Sequence, residues 1–192
     1  MSTPATYHHK NLPSTIINAA LDVIAESGPS ALSLRDLARR AGVSHAAPAH
    51  HFRDKAGLLT AVAVQGFGLL ADALAEAQQQ TGDFLEVGVA YVGFAVGHPA
   101  HFAVMFRPEL YRADDPELIA AKALAGESLR QGVAPFAASE SGPASQDAAL
   151  AAWSLVHGFA TLWLSGNLPA GLPADPREAA RHVASVLFAG RG

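Results

Sequence analysis

The stretch that decides the fold is residues 33–59, SLRDLARRAGVSHAAPAHHFRDKAGLL. Leu34, Leu37 and Ala38 recur at helical spacing and predict a helix from about Leu34 to Ala41. Ser33, with Asp36 three residues later, resembles a capping box, with Asp where Glu or Gln is usual. Gly42 breaks this helix, and Val43 can pack inward from the turn. Ser44 is a good N-cap for a second helix that runs only to about Phe52. Pro48 is awkward there. It lacks the N–H that would bond the Ser44 carbonyl, and its ring crowds that oxygen. The second helix should therefore open tight or slightly distorted, a segment shaped for docking rather than for its own stability.

Helix, glycine turn and second helix at this spacing make a helix-turn-helix. Its second helix can enter a major groove while the first crosses the backbone. Small side chains at Ala46, Ala47 and Ala49 would admit base edges and thymine methyls, and His45, His50 and His51 can donate or accept hydrogen bonds. Ser33, Ser44 and the free N–H groups of the helix start can hold phosphate oxygens. Arg35, Arg39, Arg40, Arg53 and Lys55 are candidate phosphate contacts that would supply salt-dependent affinity. The competing interpretation is a generic helical hairpin whose alanine-rich face is core.

Working outward, Pro13 suits the first turn of a helix capped by Asn11, with Ile16, Ile17, Ala20, Leu21 and Ile24 on its apolar face and Gly28-Pro29 at its end. A long helix is expected from about Lys55 to Gln80, where Gly66 and Gly68 could allow a bend. Further helical stretches lie near 83–97, 99–106, 116–137, 147–165 and 176–189, with a polar loop at 139–146. No strand alternation and no repeat appears, so the fold class is all-α: a three-helix head, residues 1–56, on a helical body, residues 57–192.

Bulk properties agree. Half of the 192 residues are hydrophobic and 16% are charged, which argues against disorder. No cysteine is present, so disulfides and thiolate metal sites are excluded. The first residues, MSTPATYHHK, lack the apolar run of a signal peptide, and a cytoplasmic protein is expected. Uncharged stretches at 87–106 and 148–174 approach the length of a membrane span, but they lean on Ala and are interrupted by His, Pro and Gly. Buried helices and a subunit interface explain them better than a membrane does. The formal net charge is −4. Residues 1–60 nevertheless hold six basic against four acidic groups, and residues 61–192 seven against thirteen. A mildly basic head on an acidic body suggests that only the head meets a polyanion.

The run 33–59 resembles the N-terminal domain of the TetR family of transcriptional regulators in its Gly-Val-Ser turn, in Phe52, in Lys55 and in the leucines at 58 and 59. The resemblance implies a homodimer of all-helical subunits, about nine helices each, with an operator-binding head and a body that binds a small molecule and dimerises through its last two helices. The family usually has Tyr where this chain has Ala49, and that Tyr contacts a phosphate; anchoring should weaken here or shift to His50 and His51. In the body, AWSLVHGFATLW and HPAHFAVMF resemble the W-x3-HG subclass of these regulators, through Trp153, His157 and Gly158 and through residues 98–106.

Residues of the body suggest a ligand site. Phe94, His98, Phe102, Met105 and Phe106 are spaced to line one side of a cavity, although Pro99 interrupts them, and Trp153 and His157 could face it. Such a lining suits a small hydrophobic effector. His98 and His101 sit three apart, but no third ligand lies nearby in sequence, so no metal and no cofactor is expected. Ser154 and His157 lack a nucleophile elbow and a placed acid, so no enzyme activity is expected. Ala151, Leu155, Leu162, Ala180, Val183, Ala184, Leu187 and Phe188 suit a four-helix dimer interface. The expected function is a repressor released from double-stranded operator DNA by a small hydrophobic effector. The alternative is a soluble binding protein or small enzyme for hydrophobic molecules with a non-functional head.

Overall fold

The computed structural model describes residues 12–137 and 143–186. Among these the chain is all-helical, in nine α-helices: α1 Leu12–Ser27, α2 Leu34–Arg40, α3 Ala47–Phe52, α4 Lys55–Thr81, α5 Phe84–Gly97, α6 Pro99–Met105, α7 Pro116–Ala137, α8 Pro143–Leu164 and α9 Pro176–Ser185. Short 3-10 turns at Pro29–Ala31 and Pro108–Leu110 link α1 to α2 and α6 to α7. The chain divides into two compact units. One holds residues through Gln65 plus Ala100–Leu118, and the other holds Gly66–Pro99 plus the residues from Ile119.

In the first unit, α1, α2 and α3 pack on one another. Ile16, Ala20, Val23 and Ile24 of α1 are buried, as are Leu37 and Ala38 of α2, together with Leu58, Leu59 and Val62 at the start of α4. Ile16, Ala20, Ile24, Leu37 and Ala38 are positions that helical periodicity marks as apolar; Val23 is buried beyond them, and Ile17 and Leu21, also marked, are half-buried. α6 also buries Val104 and Met105 here, and Tyr111 donates a hydrogen bond to the Met105 carbonyl at 2.8 Å, satisfying one of the carbonyls left over at the helix end. In the second unit, α5 packs along α8 and α9, and α8 packs against α9. α5 is apolar on more than one face and buries Val87, Val89, Tyr91, Val92, Phe94 and Ala95. Asp83 and Asp175 cap α5 and α9 by accepting from the Leu85 and Glu178 N–H groups, each at 2.9 Å. Arg181 of α9 forks onto Glu86 of α5 at 2.6 and 2.8 Å.

Several expectations are corrected. Ser33 stands at the N-cap of α2 in an extended conformation, but its side chain makes no capping hydrogen bond. Ser44 is not the N-cap of α3; Ala46 is. The polar loop expected at 139–146 is cut short because Pro143 opens α8, as Pro readily does in a first turn. Ala180 and Ala184 are buried within the subunit rather than presented to a second copy. Asn11, Leu187 and Phe188 lie outside the described residues. The apolar stretch at 87–106 is broken at His98-Pro99 into helices of 14 and 7 residues. α4 is long and apolar enough to cross a membrane, and half of its most apolar window is buried inside the protein.

Leu37 has no exposed surface and sits where the first three helices meet. Leu37→Ala should cost about 2–5 kcal/mol, read from urea unfolding, because the short helices around it can collapse only partly into the space left.

Candidate nucleic-acid interface and a buried polar cluster

The turn between α2 and α3 is built by backbone hydrogen bonds. Val43 N–H donates to the Ala38 carbonyl at 3.0 Å and Gly42 N–H to the Arg39 carbonyl at 3.3 Å. This paired pattern closes a helix around a left-handed residue, and Gly42 supplies it with φ +65°. Val43 is half-buried.

Proline then delays α3. Pro48 has no N–H for the Ser44 carbonyl, which instead accepts from Ala47 N–H at 3.0 Å in a tighter turn. The first α-helical bond runs from His50 N–H to the Ala46 carbonyl, at 2.9 Å. α3 is left with six residues. Pro48 is fully buried and Ala47 is 8% exposed. Ala47, expected on the DNA face, thus belongs to the core, since the delayed start rotates it beneath the helix. His45, Ala46, Ala49, His50 and His51 are exposed.

The cations around α3 differ in what already holds them. Arg40 forks onto Glu26 of α1 at 3.1 and 2.9 Å, and the pair holds the Glu26 carboxyl below its ordinary pKa and the guanidinium above its own. Lys55 donates to the Ser30 carbonyl at 2.8 Å. Arg39 is 74% exposed and reaches Asp36 only at 3.7 Å. Arg35 and Arg53 are exposed and, among the described residues, in no ion pair. Ser33 is half-buried and Ser44 is exposed. Arg35, Arg39 and Arg53 can therefore turn toward a phosphate without giving up a good partner.

The residues expected to hold a ligand fall into two groups. Phe102, Met105 and Phe106 lie in the first unit, where the two phenyl rings meet edge to face at 5.2 Å and Met105 is closed into the core. Phe94, His98, Trp153 and His157 lie in the second unit. There the Phe94 and His98 rings lie 5.1 Å apart. His98 is exposed, whereas His101 is buried in the first unit with Nε2 3.2 Å from the Gln65 Oε1. Among the described residues no three His, Asp or Glu side chains gather as metal ligands.

Trp153 and His157 join through Tyr91 of α5, a residue that the sequence analysis did not single out. The Tyr91 hydroxyl lies 2.8 Å from His157 Nδ1 and 3.4 Å from Trp153 Nε1. An indole N–H can only donate, so the tyrosine oxygen accepts there, and the same hydroxyl donates to Nδ1 or accepts from it according to the imidazole tautomer. Burial holds the His157 imidazole below its ordinary pKa of 6.5 and pushes the Tyr91 phenol up. Tyr91 and Phe94 are both buried three residues apart on α5, and that spacing is the signal that sets Tyr91 among the inward-facing aromatics.

A histidine with a depressed folded-state pKa contributes stability above its unfolded pKa, and that contribution is lost as pH falls through it. The His157 ring protons should therefore titrate in NMR with a midpoint below 6.5. Tyr91→Phe leaves that burial in place, so the midpoint should stay below 6.5 in the variant as well.

The chain matches two family descriptions. Residues 16–62 match the bacterial regulatory proteins of the tetR family, and residues 84–187 match the tetracyclin repressor-like C-terminal domain. A protein of unknown function from Rhodococcus sp. RHA1 is 32% identical, with a TM-score of 0.80 and coverage of 97% of this chain and 98% of that one. The TetR family transcriptional regulator PfmR from Thermus thermophilus shares the fold, with 22% identity, a TM-score of 0.70, and coverage of 92% and 98%. A 51-residue segment is 49% identical to the class A tetracycline repressor protein of transposon 1721 from Escherichia coli. That match spans 27% of this chain and 24% of the repressor. TetR family regulators bind operator DNA, dimerise and take up small effectors, and are generally non-enzymatic. With the helix-turn-helix and the C-terminal domain both matched, the chain belongs to the TetR family and is a DNA-binding transcription regulator with a C-terminal ligand-binding domain.

Proposed function

We propose that this regulator is a cytoplasmic repressor that dimerises, places α3 of each subunit in successive major grooves of its operator, and is released by a small uncharged hydrophobic effector. The observation that carries the DNA interface is the outward face of α3. His45, Ala46, Ala49 and His50 stand exposed there, while Ala47 and Pro48 anchor the helix from beneath. Two alanines leave room for close approach to base edges, and the histidines supply hydrogen bonds. Arg35, Arg39 and Arg53 take phosphates on either side, with Ser44 and the turn before α3 contributing polar groups. Arg40 and Lys55 contribute less, since Glu26 and the Ser30 carbonyl already hold them.

Dimerisation through α8 and α9 is supported by the leucines that α8 leaves uncovered. Leu150, Leu162 and Leu164 are 55%, 45% and 39% exposed, apolar surface that a second copy could cover. The head (residues 1–56) then serves DNA and the remainder (residues 57–192) serves the effector and the partner subunit. In a dimer the two α3 helices would address half-sites about 34–36 Å apart.

The effector class follows from the Trp153–Tyr91–His157 cluster. Burial keeps its phenol and its imidazole neutral. A ligand bound there meets aromatic faces and neutral hydrogen-bonding groups, which favours a lipophilic molecule over an anion. The effector must bind the released form better than the DNA-bound form, by a coupling of about 1–3 kcal/mol in typical regulators.

Selection of duplexes from a random pool by the wild-type protein supplies the operator. Arg39→Ala should then weaken binding to all duplexes alike and reduce the salt slope by about one. His50→Ala should cost about 1–3 kcal/mol on the selected duplex and relax preference at one base pair. Both variants should unfold at the wild-type temperature. Wild-type affinity in both, across a salt series, would displace the interface from α3.

A further inference from the structure

The joint between α3 and α4 is unusual in its backbone and in what closes it. Arg53 has φ 69° and ψ −57°, a left-handed conformation that a non-glycine residue seldom adopts, and Asp54 N–H donates to the Phe52 carbonyl at 2.8 Å. Together these form a three-residue γ-turn of the rarer, strained form. Such strain persists only where surrounding groups hold it.

Asp54, Gly57 and Arg112 are the groups that hold it. Asp54 Oδ1 accepts from Gly57 N–H at 2.8 Å, closing the first turn of α4. Asp54 Oδ2 accepts from Arg112 Nη2 at 2.7 Å. Arg112 is itself fixed at its backbone, because its N–H donates to Thr60 Oγ1 at 3.0 Å and that hydroxyl donates to the Ala56 carbonyl at 2.8 Å. The two links hold Arg112 to Asp54, just before α4, and to Thr60, six residues further along the chain. Gly57 completes the arrangement. A Cβ built there would lie 2.0 Å from the Phe52 carbonyl oxygen and 2.5 Å from Arg112 Nη1. The last carbonyl of α3 and the arginine head both occupy the space that any other residue would fill.

We propose that Arg112, acting through Asp54 and over Gly57, is the positioning residue that fixes how α3 is presented to DNA, without touching DNA itself. α3 has six residues and cannot hold its own direction. Its C-terminal end leaves through the strained turn at Arg53, and Arg112 pins the residue that follows. Arg112 comes from the segment between α6 and α7, some 60 residues after the helix-turn-helix, so the reading head is completed by a part of the chain that its own motif does not contain. This role rests on the DNA-binding function proposed above.

The test uses the full-length chain and the duplex that wild type selects from a random pool, with a scrambled duplex as control. Arg112→Gln should lose roughly five- to tenfold in affinity for the selected duplex, the low end of what one displaced base contact costs. Binding to the scrambled duplex at low salt, the salt slope and the unfolding temperature should stay near wild type. Arg112→Lys should recover most of the loss. Gly57→Ala, which changes no charge, should reproduce the loss of selectivity by crowding the Phe52 carbonyl, and it keeps the proposal testable should Arg112→Gln fold poorly. Wild-type selectivity in either variant, once folded, overturns the role. So does a parallel loss on both duplexes with a salt slope shallower by about one, which would make Arg112 a direct phosphate contact. A wild-type chain that selects no sequence overturns the DNA-binding function first, and this role with it.

Discussion

A helix of six residues has almost no cooperative stability of its own, because fixing its first turn costs more chain entropy than its few hydrogen bonds return. Everything that α3 could do at a base edge depends on its shape being supplied from outside. Its two ends are set by backbone chemistry. Pro48 removes the hydrogen bond that would have started the helix at Ser44, and Arg53 turns the chain into a left-handed conformation that ends it. Between those limits Ala47 and Pro48 bury one side against α1 and α2. The exposed side is therefore oriented by packing beneath it and not by any preference of the exposed residues. Small outward side chains are compatible with this, since the helix needs none of them for its stability.

Charge in the head is more selective than its excess of two basic groups suggests. Arg40 and Glu26 form a two-pronged pair between α2 and α1, and Lys55 closes on a backbone carbonyl. These cations tie helices together at the surface, each contributing the modest energy of an exposed contact. Arg39 lies one residue from Arg40 on the same short helix, yet it points to solvent with only a loose partner. Neighbouring cations thus do different work, and a count of positive residues would not separate them.

The long helices were legible because hydrophobic periodicity sustained over many residues admits one solution. α1, α4 and α7 lie within a residue or two of where the spacing of Leu, Ile, Val and Ala places them. Short elements escaped that argument. In α3 the effect of Pro48 acts backward on Ser44, so a good capping residue is present but the helix does not begin there. The rotation that buries Ala47 follows from the same delay, and no periodicity over six residues could reveal it. Residues 143–146 look like loop by composition, yet proline is well suited to a helix start. Ala180 and Ala184 have the small side chains of a close interface, but the interface they serve is internal, in the unit where α9 lies on α5. The link from Arg112 to Asp54 spans 58 positions and depends on geometry no local pattern encodes.

The polar cluster of the second unit shows how burial sets the charge that its members carry. Tyr91 accepts a hydrogen bond from Trp153, since indole has no acceptor, and the same hydroxyl meets His157 Nδ1. Ionising either titrating member would place a charge in a setting that disfavours it, as the opposite shifts of phenol and imidazole show. An anionic ligand would need a compensating cation, and a protonated His157 could be that cation only against its own burial. A neutral ligand asks for no such change. Desolvation therefore weighs against any charged group brought to this cluster, whereas an uncharged one would meet neutral hydrogen-bonding groups and aromatic rings.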